Sequence, residues 1–446
     1  MSDEPVDPRV VRRKVALRIV PLIFLLYIIS YLDRANVGFA KLRMKESLSF
    51  SEEIFGWAFG IFFVGYLLLE IPGALIVERW SARKWFARIL ITWGICSMGM
   101  ALVRTPTQLY VARFLLGLAE AGFFPGVIVY FTHWFPKADR ARALAGMVLG
   151  IPVSLALGAR VSALLLDVHW FGLDGWQWVF LIEGAPAVIM GCLVPFLLTD
   201  RPRDARWLTP AERQWLEEKL AAERREAASI GGVTLQAALK QPTVWILALG
   251  IFVTNIGGYA LIFWLPTAVK NLLVEMNGAT SDAEVLNWLS IVYVCGLVGV
   301  WLSGQSSDRS GERKWHCVVG QAGTGTFLIL SLLPGQPWGL MFLWLCLMGF
   351  FAFFWCSPFW VLPTMSLTAG VAAVSIGFIN MCANIAGLVG SPIVGRMKSA
   401  GVSERGCLLF LAICYVVGAG IIAILRVARR TAGRDEPQFD PVAQRS

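Results

Sequence analysis

The sequence predicts an all-α integral membrane protein of twelve transmembrane helices in two pseudo-symmetric six-helix bundles. Three observations predict it. Hydrophobic residues make up 57% of the chain and charged residues 15%, with a mean hydropathy of +0.64, whereas a water-soluble domain carries about 25% charged residues. The apolar residues gather in runs of about 20, the length that crosses ~30 Å of hydrocarbon. The runs fall in two sets of six on either side of one polar interruption.

The first six runs lie at roughly 17–39, 54–78, 85–103, 108–131, 143–166 and 178–198. The second six lie at roughly 243–268, 286–304, 315–333, 338–362, 371–395 and 407–425. Residues 1–14 form a basic N-terminal segment (Arg9, Arg12, Arg13, Lys14), and no small-residue cleavage site precedes Asp33, so the first span is expected to be uncleaved. The first bundle is 15–199 and the central loop 200–242; the second bundle is 243–426 and the tail 427–446. Within the loop, Thr209-Pro210-Ala211-Glu212 supplies an N-cap, a proline at the first helical position and a capping-box acid, which predicts a short amphipathic surface helix.

Most of the 39 Lys and Arg fall on one side of the predicted spans, led by the central loop and the tail. The other side holds Lys41, Arg43, Lys45, Arg104, Lys270, Arg396, Lys398 and Arg405. This bias places both termini and the central loop in the cytoplasm of a cell membrane, with a bacterial inner membrane expected. The net charge of +9 sits on these short flanks, where membrane proteins collect basic residues, and it argues against a nucleic-acid partner. Most of the 9 cysteines lie inside apolar runs without a CxxC pair, so they read as packing residues. There is no Gly-rich phosphate loop, no metal-ligand cluster and no nucleophile beside a His. The chain is therefore read as a non-enzyme without cofactor or metal, and as a monomer.

An internal repeat carries the symmetry. Gly304-Gln-Ser-Ser-Asp308-Arg309-Ser-Gly311-Glu-Arg313-Lys314 follows the eighth run, and Ala74-Leu-Ile-Val-Glu78-Arg79-Trp-Ser81-Ala-Arg83-Lys84 follows the second. Small residue, acid, basic residue, small residue and basic pair recur at one spacing. The small residue lets helices approach, and the acid can pair with a basic residue or a helix terminus as a gate latch. Glu78, Arg79, Arg83, Asp308, Arg309 and Arg313 are the gating residues expected. The two loops resemble the signature loop of the major facilitator superfamily, and the resemblance covers nearly the whole chain.

Charge within a span costs several kcal/mol unless it is paired or wetted, so intramembrane ionisable residues are functional candidates. The first half holds Asp33, Arg34, Glu70, Arg113, Glu120, Arg160 and Glu183, while the interiors of the last six runs hold none. Arg113 and Glu120 are seven residues apart, about 10 Å along one helix face. Arg34 and Arg113 sit at comparable depth and form a candidate carboxylate clamp, because the guanidinium fork matches a carboxylate and stays charged. The alternative is that each neutralises its neighbour, Asp33 or Glu120, as a structural pair. The histidines lie near span ends, so proton coupling falls to Glu120 and Asp33, whose pKa desolvation can raise. Glu70, before Pro72, is assigned to support of the latch loop. Glu183 fits a helix-packing acid and a transport residue equally. Of the 19 tryptophans, most sit at span ends as an interfacial belt, and Trp360 is the exception taken as a site residue.

Tyr31-Leu32-Asp33-Arg34-Ala35-Asn36, Arg113-Phe-Leu-Leu-Gly117-Leu-Ala-Glu120-Ala-Gly122-Phe-Phe-Pro125-Gly126 and Trp134-Phe135-Pro136 resemble the anion:cation symporter family. Asp200-Arg201-Pro202, Ala205-Arg206-Trp207-Leu208, Phe359-Trp360 and Asn380 continue the match. That family holds permeases for phthalate, tartrate, hexuronates and sugar acids, and is related to sialin and the vesicular glutamate transporters. The resemblance implies substrate binding and proton coupling by Asp33, Arg34, Arg113 and Glu120, with neutral substrate contacts from Tyr66, Ser357, Trp360 and Asn380. One departure is Gly150-Ile151-Pro152 in span five, where sugar-acid members tend to offer an amide, together with Arg160. An apolar pocket with an added cation suits an aromatic or multiply charged carboxylate, unless Arg160 snorkels outward. The expected function is uptake of an organic carboxylate by proton symport through alternating access. A proton-coupled exporter of organic compounds and a transporter-like membrane sensor are the alternatives.

Overall fold

The computed structural model describes residues 6–229 and 234–426, all helical or loop; the predicted tail 427–446 lies outside the described residues. Eleven helices among them are long and apolar enough to cross a membrane. Span one is Pro8–Leu48, span two Glu52–Arg79, span three Ala82–Gly99, span six Gly175–Leu197, span seven Pro242–Asn277 and span eight Asp282–Ser310. Span eleven is Ala369–Ser399 and span twelve Glu404–Ala423. The run predicted at 315–333 forms the 18-residue helix Lys314–Ser331. It is less apolar than its neighbours because it carries Lys314, His316 and Gln321, and it packs within the second bundle as span nine.

Three spans are broken. Span four is Pro106–Glu120 followed by Phe123–Thr132, with Gly122 at φ 84° between them, a conformation that favours glycine. Span five is Lys137–Val148 and Gly150–Leu165, and span ten is Trp338–Phe354 and Cys356–Phe359.

Several spans run further than hydropathy predicts. Asp7 caps span one by accepting from the N–H of Arg9, and Pro8 occupies the first turn, so the helix begins inside the basic N-terminal segment 1–14. At its far end it continues through Lys41, Arg43 and Lys45 to Leu48. These three, with Lys270, Arg396 and Lys398, lie beyond the ends of the predicted runs at 39, 268 and 395, yet all six are on helices. Charge ends a hydropathy run, but a paired charge does not end a helix. Lys41 is 1% exposed, with Nζ 2.6 Å from Glu52 Oε2 and 3.7 Å from the Trp264 ring centroid.

The central-loop helix is Pro210–Ser229. Thr209 N–H donates to Glu212 Oε2 (2.9 Å) and Glu212 N–H to Thr209 Oγ1 (3.2 Å), the reciprocal bonds of a capping box. The helix is tied to the first bundle by Lys14–Glu212 and Arg140–Glu223 and by Trp207 stacked on Trp134 at 5.5 Å.

At the face opposite the central loop the bundles are joined. A Cβ on Gly56 of span two would stand 3.0 Å from Gly395 Cα of span eleven, so only glycine permits this approach. The ion pairs joining the bundles among the described residues, Arg43–Asp282, Glu46–Lys270 and Glu53–Arg396, lie at this face.

Candidate functional site

A cavity lies between the bundles, walled by spans one, two, four and five on one side and seven, eight, ten, eleven and twelve on the other. On span one its wall is Tyr27, Ser30, Tyr31 and Arg34, one face at spacings of three and four. Arg34 Nη2 lies 2.5 Å from Glu120 Oε1 of span four, and Ser30 Oγ donates to the same oxygen at 2.9 Å. The guanidinium carbon sits 5.0, 5.3 and 5.2 Å from the ring centroids of Tyr31, Phe62 and Tyr66. These rings shield the charge while leaving Nε without a hydrogen-bond partner. Glu120 is the last residue of its helix segment, which turns its carboxylate toward span one.

Asp33 does not share this wall. Consecutive helix residues point about 100° apart, and Asp33 faces span three, where Trp93 Nε1 donates at 2.5 Å and Ser97 Oγ at 2.6 Å. The Asp33–Arg34 pair is therefore not formed; Arg34 pairs across to span four.

Arg113 is also outside the cavity. It is 0% exposed; its Nε donates to Ala58 O at 3.1 Å, and its two terminal nitrogens have no partner. The cause lies in packing one turn along. A Cβ on Gly117 would come within 2.0 Å of Phe62 O, so spans two and four touch there and seal Arg113 beneath Phe62, whose centroid is 4.8 Å from the guanidinium carbon. The Arg34–Arg113 clamp and the Arg113–Glu120 pair are both absent from this arrangement.

Of the neutral contacts expected, Tyr66, Trp360 and Asn380 line the cavity, while at Ser357 it is the neighbouring Cys356 that does so. Arg160 is exposed and bonds Asn287 of span eight, away from the cavity wall. Glu183 accepts from Ser162 Oγ at 2.7 Å between spans five and six. Glu70, assigned to the latch loop, instead reaches across to span eleven and accepts from Asn380 Nδ2 and from Asn384 Nδ2 at 3.1 Å. Sequence reasoning passed over Ser30, Tyr27, Asn255, Tyr259, Asn384, Tyr293 and Tyr415. The helical spacing Tyr27–Ser30/Tyr31–Arg34 and the i,i+4 pairs Asn255–Tyr259 and Asn380–Asn384 were the signals available.

The two repeat loops are each held by their own bundle. Glu78 Oε2 lies 2.9 Å from His133 Nε2, while Ser81 Oγ and the Arg83 N–H donate to Asp200 at 2.8 and 2.9 Å. Burial lowers the pKa of the His133 imidazole, with the Glu78 carboxylate opposing it. Asp308 pairs with Arg313 at 2.6 Å, and Arg79 and Arg309 are exposed.

The family model described as Major Facilitator Superfamily matches residues 23–391. The chain belongs to this superfamily. A putative tartrate transporter of Agrobacterium vitis is 41% identical to this facilitator over 98% of each chain. A quinolone resistance transporter of Acinetobacter baumannii is 35% identical, covering 91% of this chain and 92% of the relative. The inward-open xylose transporter of E. coli shares the fold at TM-score 0.72 with 16% identity, over 94% of this chain and 98% of that one. This facilitator is accordingly a multi-pass membrane transporter, not an enzyme.

Proposed function

We propose that the chain imports an organic carboxylate together with protons by alternating access. The observation that carries this reading is the Arg34–Glu120 pair in the cavity wall, 2.5 Å apart and both buried. Protonation of Glu120 cancels its charge and its claim on Arg34. The released guanidinium then takes a substrate carboxylate through its planar fork. Substrate and proton thus stabilise each other's bound state, which is the thermodynamic content of symport. Asp33, held by Trp93 and Ser97 behind the cavity, is assigned an indirect part, fixing the rotation of span one so that Arg34 faces inward.

The Lys and Arg bias makes the central-loop face cytoplasmic, so the joined face is external and the cavity belongs to the inward-facing stage. Glu78 and Asp308, paired within their own bundles, are then free to exchange partners when the cytoplasmic ends close. The tartrate relative supports an organic anion as cargo.

Purified protein in vesicles, supplied with labelled carboxylates with and without an acid exterior, tests the proposal. Accumulation that requires the gradient is expected, and accumulation indifferent to it overturns symport. The quinolone-resistance relative favours export as the second reading. Export would appear in the same vesicles as gradient-driven loss of preloaded substrate from the side of the central loop.

A further inference from the structure

We infer that the preferred cargo is an aromatic monocarboxylate carrying a hydroxyl group, rather than a dicarboxylate or a sugar acid. The inference rests on the carboxylate reading above and concerns the rest of the substrate.

Charge comes first. Among the residues lining the cavity, Arg34 and Glu120 are the charged ones. Arg113 is sealed behind Phe62 and Arg160 bonds Asn287 away from the wall, so neither supplies a second cation. With Glu120 protonated the cavity holds one positive charge, and one carboxylate balances it. A second carboxylate would lose its water without gaining a counter-charge, and an uncompensated buried charge is strongly unfavourable.

Surface comes second. Six of the chain's 8 tyrosines, Tyr27, Tyr31, Tyr66, Tyr259, Tyr293 and Tyr415, line this one cavity, drawn from both bundles. Trp355 and Trp360 join them. Such a wall offers ring faces and edges on which a planar aromatic ring packs and which a non-planar sugar acid matches less well.

The hydroxyl comes third. Tyr293 belongs to span eight, in the bundle facing Arg34, and is 3% exposed. Its phenol oxygen is buried with no hydrogen-bond partner. A buried phenol normally finds a partner, and a substrate hydroxyl would provide one. Nothing comparable is vacant at Tyr259, whose hydroxyl donates to Asn384 Oδ1 at 3.3 Å.

The test is calorimetric binding by the full-length protein of para-hydroxybenzoate, benzoate, terephthalate, tartrate and the methyl ester of para-hydroxybenzoate. Para-hydroxybenzoate is expected to bind about tenfold or more tighter than terephthalate, which adds a charge to the same ring. Terephthalate or tartrate binding as tightly overturns the inference and leaves the carboxylate reading standing. The ester binding as tightly as the acid, or no member of the panel binding, overturns the carboxylate reading and the inference with it. In Tyr293→Phe, checked for an unchanged melting temperature, the advantage of para-hydroxybenzoate over benzoate should vanish. If the advantage persists, Tyr293 is not the hydroxyl's partner. The wild-type ranking decides the cargo class even if that variant does not fold.

Discussion

Asn384 Nδ2 of span eleven lies 3.1 Å from Glu70 Oε1 of span two, and Asn380, one turn away, donates to the same oxygen. The bond ties the bundles together at the cavity, on a helix pair that also meets at Gly56 and Gly395. Glu70→Ala leaves the buried amide of Asn384 and the half-buried amide of Asn380 without their acceptor. Hydrogen bonds to charged groups contribute about 1.5–3 kcal/mol each, so the variant should melt several degrees lower in detergent and shift the balance of inward-facing and outward-facing states. Unchanged melting and unchanged cysteine accessibility on both faces would show that this bond does no work between the bundles.

Glu120→Gln replaces the carboxylate beside Arg34 with a neutral amide that mimics the protonated acid. Exchange of substrate across the vesicle membrane should survive, and accumulation driven by a pH gradient should disappear. Gradient-driven accumulation at the wild-type level would remove Glu120 from the coupling step.

Arg34 and Arg113 should separate experimentally. Arg34→Lys keeps the charge at the cavity wall but loses the fork, and a loss of about 2 kcal/mol in carboxylate binding is expected, roughly thirtyfold. Arg113→Lys acts behind Phe62, where Nε holds Ala58 O, so it should lower the melting temperature and leave the order of preference among carboxylates intact. Equal loss of selectivity in both variants would restore Arg113 to the site.

At the face opposite the central loop, Lys41 is buried against Glu52 and Trp264. Lys41→Ala leaves Glu52 with Lys45 at 2.7 Å as its cation but removes the buried contacts to Trp264 and Thr267. The variant should therefore weaken the closed face, read as faster alkylation of a cysteine placed at Thr267, which Lys41 contacts at 3.3 Å. No change in labelling rate would count against a gating role.

The central-loop helix should be acid-sensitive. Burial by itself raises the Glu212 carboxyl, but Lys14 Nζ at 2.6 Å and the Thr209 N–H and hydroxyl outweigh it and hold it below the usual carboxylate range. A depressed folded-state pKa contributes stability that is present above the unfolded pKa and is lost as pH falls through the folded one. Hydrogen exchange in 210–229 should accelerate on acidification below that range, and Glu212→Gln should show fast exchange already at neutral pH. Exchange independent of pH in the wild type would mean that the Lys14–Glu212 pair is not what holds the helix.

The sequence by itself determined the class, the count of runs, their division into two sets of six, the repeat and the charged residues of the first half. These follow from hydrophobic length and local spacing, which depend on no partner. It also located Glu120 and Arg34, since burying charge in lipid marks a residue whatever it faces. What it did not determine is which side chain each of them meets. The spacing of Arg113 and Glu120 placed both on one face, yet contact at Gly117 closes spans two and four over Arg113. Asp33 and Arg34 are neighbours in the chain and turn to opposite neighbours in space. Glu70 carries no sign in its own segment of the two asparagines about 310 residues later that bind it. Pairing across bundles depends on helix rotation and close approach, which are set jointly by all the packed faces. Tertiary structure alone therefore decided that this cavity presents one arginine, one acid and a wall of tyrosines.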